Sequence, residues 1–106
     1  VMARRAGIDE QTFFDVASNA SGDSYALRRN VEGFVIPGEY DSEADISILR
    51  KDAMLAEQFG RDLDVPLLIG GSSSSIYRLA EDRGLADRDI AALLALYDPD
   101  EDVGTE

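Results

Sequence analysis

The sequence predicts an all-α fold, and three observations carry that prediction. Apolar residues recur at helical spacing through the middle of the chain, Asp and Ser stand where helix starts need caps, and no alternating run is long enough for a useful strand. The architecture that follows is a small bundle of five to six helices around one long central helix. At 106 residues the chain can build one domain with a single modest core, so residues 1–106 form one unit.

The elements follow in order. "VMARRAG" reads as the last turns of a helix, with Arg4 and Arg5 suited to its C-terminal dipole and Gly7 to a left-handed cap. Asp9 caps a second helix to about Ala17, with Phe13, Phe14, Val16 and Ala17 as its buried candidates, before the turn-rich "SNASGDS". "YALRRN" is a short third helix, and "VEGFVIPGEYDS", with two Gly and a Pro, is a connecting loop in which "FVI" alone could be a strand. Ser42 and Asp45 resemble a capping box opening a long helix to about Asp62. Pro66 suits the first position of the next helix, whose pattern Leu67, Ile69, Ile76, Leu79, Ala80 stops at Gly84. Asp87 caps a last helix through Tyr97, and residues 98–106 are a frayed tail.

Composition narrows the chemistry. Ten basic residues against 22 acidic ones give a net charge of -12, which disfavours phosphate backbones and anionic lipid as partners. With 44% hydrophobic residues the chain should still fold. It has no Cys and no His, so disulfides, thiolate ligands and imidazole bases are excluded. Nothing marks export or membrane insertion, and a cytoplasmic setting is the default.

One charged residue stands out within the long helix. Ile48, Leu49, Leu55, Ala56, Phe59 and Leu63 fall within roughly a third of the helical wheel at about 100° per residue, and Asp52 projects near the middle of that arc. Lys51 lands on its edge. A carboxylate centred on an apolar stripe is costly unless paired or hydrogen-bonded. Either Asp52 faces inward and accepts hydrogen bonds from a neighbouring helix's N–H groups, or the Lys51–Asp52 pair serves a ligand. In the plain packing alternative Lys51 snorkels, with its stem buried and its ammonium wet.

Other motifs have simpler readings. "GGSSSS", residues 70–75, lacks the Lys and the preceding strand of a phosphate-cradling loop, so close helix packing by small residues explains it better. Asp98, Asp100 and Asp102 share the spacing of a calcium loop, but Val103 stands where Gly is needed and no twelfth-position Glu follows. No metal site is expected. The basic "LRRN" beside Tyr25 is a solvated helix end.

"ARRAGID", "SGDSYAL", "RKDAMLAEQFGRDLDVPLL" and "IYRLAEDRGLADRDIAAL" together resemble, in order and spacing, the C-terminal helical domain of the β-hydroxyacid dehydrogenases. These are relatives of 3-hydroxyisobutyrate and tartronate semialdehyde reductases and of 6-phosphogluconate dehydrogenase. The resemblance covers nearly the whole chain. It implies a helical domain that follows an N-terminal Rossmann domain and completes the active-site cleft. The Rossmann half carries the glycine-rich dinucleotide turn, and the helix joining the halves carries the catalytic Lys. Neither is in this sequence, so the resemblance implies a piece of a longer enzyme and no catalytic residue here. The family's Lys-Asp pair maps onto Lys51, which would reach the bound NAD or NADP from this domain, and Asp52, in a structural or supporting role. Eight residues before Asp52, where the family commonly has Phe near the substrate, stands Ala44.

The resemblance therefore implies the substrate-side and oligomerisation domain of an NAD(P)-dependent oxidoreductase. Its parent moves hydride between nicotinamide and a small β-hydroxyacid, and the chain alone is inactive. Its partners would be the parent's Rossmann domain and further copies of itself, a dimer first, with no nucleic acid and no membrane. The rival from another class is a stand-alone helical interaction module.

Overall fold

A computed structural model describes residues 1–41, 43–98 and 100. Six helices form in chain order: α1 (Met2–Arg5), α2 (Glu10–Ser18), α3 (Leu27–Val35), α4 (Ile46–Asp62), α5 (Leu68–Asp82) and α6 (Ile90–Leu96). Among the described residues there is no strand, and the isolated bridge Asp45–Asp89 is the one β pairing. The fold is all-α, with α4 its longest helix.

Local chemistry explains most boundaries. Gly7 and Gly84 take φ of +76° and +79°, the left-handed conformation that lets the chain turn off α1 and α5. Asp9 is the N-cap of α2: one carboxylate oxygen accepts from the Thr12 N–H at 3.0 Å and the other from its hydroxyl at 2.7 Å. These bonds, the hydroxyl's first, hold its carboxyl below the ordinary value of 3.8. A depressed folded-state value means that the cap stabilises fully above 3.8 and is lost as pH falls through the lower folded value. We expect acidification below that point to fray α2 in wild type. In Asp9→Asn, which caps without ionising, amide exchange at Thr12 should be far less pH-dependent across the same window.

Four boundaries differ from the sequence reading, the simplest being α5, which begins at Leu68 with Leu67 as its N-cap, so that Pro66 precedes the helix instead of taking its first position. The stretch expected to be a loop after "YALRRN" is helical to Val35, in a wider π register: Ile36 N–H donates to Val31 and Glu39 N–H to Phe34, each five residues back. One π turn stacks Arg29 over the Phe34 ring, 5.5 Å from its centroid. The long helix is capped at Asp45 rather than opened at Ser42, which lies outside the described residues, and Asp45 makes no side-chain cap bond. The last helix is a 3₁₀ segment capped by Asp89, not Asp87. Asp89 accepts from Ala91 N–H at 2.8 Å, while the chain beside it is pinned by Ile46 N–H donating to Arg88 and Ile90 N–H donating to Ala44.

The core is small. Ile46, Ala80 and Ala92 are 0% exposed, with Tyr40, Leu85, Leu93 and Leu96 packed around them. On α2, Phe14 is buried, but Phe13 and Val16 are not. The most extensive helix contact is between α4 and α5, where small residues on both permit close approach. A Cβ on Gly60 would lie 2.8 Å from a Leu67 methyl and 3.1 Å from the Val65 carbonyl oxygen. Gly60→Ala should therefore lose stability despite a helix-propensity gain of about 1 kcal/mol, because overpacking typically costs about 1–3 kcal/mol. A thermal melt should show a midpoint a few degrees below wild type.

Candidate functional site

A cleft lined by helices runs along α4. It has a volume of about 610 Å³, within the range of small-molecule sites, and Arg50, Lys51, Met54, Leu55 and Arg61 line it with Glu81 of α5. Residues 50 and 61 are three helical turns apart and share a face. That spacing was readable in the sequence, but only the fold shows that Glu81 closes the cleft by pairing with Arg50.

Lys51 stands on this wall with its side chain 64% exposed. Its ammonium lies 3.2 Å from an Asp52 carboxylate oxygen. Adjacent residues on a helix point about 100° apart and do not ordinarily meet, so the two side chains bend toward each other across the surface. The pair is exposed and contributes little to stability. Its effect is to bias where the Lys51 ammonium sits.

The inward placement of Asp52 is corrected here. Its side chain is 61% exposed, and the stripe around it points outward too: Ile48, Leu55, Phe59 and Leu63 are 43–66% exposed. The face of α4 turned to the interior runs through Ile46, Leu49, Ala53, Glu57 and Gly60 instead. The smaller residues on that face let α5 approach, whereas the more apolar stripe is left uncovered within this chain. No desolvation cost therefore demands donors for Asp52.

The rest of the cleft is already tied together. Arg61 donates to Gln58 at 3.0 Å and pairs with Glu57 at 3.6 Å, and Gln58 in turn donates to Asp62 at 2.7 Å. One Glu57 carboxylate oxygen is inaccessible to water and has no hydrogen-bond partner among the described residues. Three cationic heads, each beside a carboxylate of the same chain, and two apolar side chains make up this wall.

The remaining sequence candidates fall elsewhere. Ala44 does not line this cleft. It sits in a separate hollow of about 190 Å³ with Asp41, Glu43, Asp45, Asp87 and Asp89. Residues 70–75 lie inside α5, where the Gly71 N–H donates to Leu67 and the Ser72 and Ser75 hydroxyls donate to carbonyls four residues back, so they form no phosphate loop. Asp98 pairs with Arg4, Asp102 lies outside the described residues, and no group of acidic residues arranged to hold a metal is found among those described.

Fold and cleft define a helical domain with an ion-paired, polar wall along α4. A family model described as NAD-binding of NADP-dependent 3-hydroxyisobutyrate dehydrogenase matches residues 1–97, and the chain belongs to this family. It is 24% identical over 98 residues to 2-(hydroxymethyl)glutarate dehydrogenase of Eubacterium barkeri, covering 92% of this chain and 33% of that protein. It is 26% identical over 96 residues to L-threonate dehydrogenase of Escherichia coli K12, covering 91% and 32%. Among solved structures, 3-hydroxyisobutyrate dehydrogenase from Salmonella typhimurium superposes with a TM-score of 0.83 at 25% identity, over 90% of this chain and 33% of that one. The Mycobacterium tuberculosis 3-hydroxyisobutyrate dehydrogenase, at 22% identity and a TM-score of 0.78, shares the fold. The chain thus spans about a third of the length of the relatives it matches.

Proposed function

We propose that this chain is the C-terminal helical, substrate-side and oligomerisation domain of an NAD(P)-dependent β-hydroxyacid dehydrogenase. The observation that carries the reading is the family match over residues 1–97 together with an exposed Lys51 on the cleft wall of α4. In the parent, an N-terminal Rossmann domain would hold the dinucleotide, whose nicotinamide accepts or gives the hydride. The residues here fit such a group: Lys51 has a water-exposed ammonium for a carbonyl or phosphate oxygen, and Met54 and Leu55 beside it offer apolar surface. Asp52 holds that ammonium to one side and so positions it. No helix among the described residues is long and apolar enough to cross a membrane, and a cytoplasmic setting fits the reading.

Met2, Val16, Leu55, Phe59, Leu68 and Ile69 are 62–87% exposed, far more apolar surface than a self-sufficient domain of this size leaves open. That exposure supports assembly with the Rossmann domain and with further copies, a dimer first. It equally favours a stand-alone interaction module, and the coding sequence upstream of Val1 separates the two: a glycine-rich dinucleotide turn and a joining-helix Lys support the enzyme. The chain alone should not turn over hydroxyacids, because it has no dinucleotide turn. A panel of small hydroxyacids with NAD and NADP should give no absorbance change from reduced nicotinamide. A change proportional to purified chain would overturn the domain reading.

A further inference from the structure

We draw no further inference here: the strongest candidate, the apolar groove of about 670 Å³ beneath α1 lined by Phe13, Val31, Val35 and Leu94, carries nothing because its rim arginines are already held by Glu10, Asp98 and the Tyr97 carbonyl and nothing in the structure shows what covers it.

Discussion

Ile46→Ala should cost about 2–5 kcal/mol, the range for removing a fully buried aliphatic side chain without collapse of the space it leaves. Ile46 is the largest fully buried side chain among the described residues, and its neighbours in the core include two alanines, Ala80 and Ala92, which have no length with which to fill a cavity. Its N–H also fixes the start of α4 to the Arg88 carbonyl at 3.0 Å. Domains are stable by only about 5–15 kcal/mol, so the loss is a large share of the whole. At about 4–8 °C per kcal/mol for a domain of this size, the melting midpoint should fall by about 10 °C or more. Leu55→Ala, on the outward stripe at 62% exposure, should change stability by no more than about 0.5 kcal/mol. Both melts need the same protein concentration, because assembly adds to apparent stability. A midpoint for Ile46→Ala within two or three degrees of wild type would mean that the core is not where the structure puts it.

The contrast between these two residues shows what was legible in the sequence. One cap and two stops were, because they are local: Asp9 caps α2 through Thr12 three residues on, and Gly7 and Gly84 end their helices with positive φ. The length of α4 was legible from its periodicity. Which face of α4 is buried was not, since the helix carries two candidate stripes and the wheel favours the more apolar one around Asp52. Contact with α5 decides otherwise, through Gly60 and Leu67, at positions with no sequence marker of their mutual approach. The π register of α3 was hidden for another reason: Gly33 and Pro37 read as loop punctuation, yet Pro37 only ends the helix, and the Arg29–Phe34 stacking across one wide turn depends on geometry rather than composition. For the last helix Asp87 and Asp89 are both good caps, and the bridge from Asp89 to Asp45 makes the choice. At the site, Asp52 was picked out by its place on the apolar stripe with Lys51 at the edge, and the resemblance to a family pair then gave both a role. Their mutual contact, and the separation of Ala44 into another hollow, needed the fold.

Lys51→Ala should leave the stability of this chain unchanged to within about 0.5 kcal/mol, because the side chain is 64% exposed and pairs with a comparably exposed neighbour. In the full-length parent the same change should raise the Michaelis constant for the nicotinamide cofactor. A hydrogen bond from a charged donor contributes about 1.5–3 kcal/mol, which is about 10- to 150-fold in affinity. Lys51→Arg tests the geometry as well as the charge: a planar fork on a shorter aliphatic stem keeps the cation but cannot place a single donor where the ammonium was, so it should restore only part of the loss. Asp52→Asn separates the two members of the pair. If the carboxylate positions the ammonium, the amide should raise the same constant by less than Lys51→Ala does, again with no change in melting point. The double variant should then behave as Lys51→Ala does, since a positioning residue has nothing to position once the lysine is gone. Unaltered cofactor kinetics in Lys51→Ala would remove the site from α4 and leave only the fold and the family. Additive effects of the two substitutions would instead give Asp52 a contact of its own with the ligand.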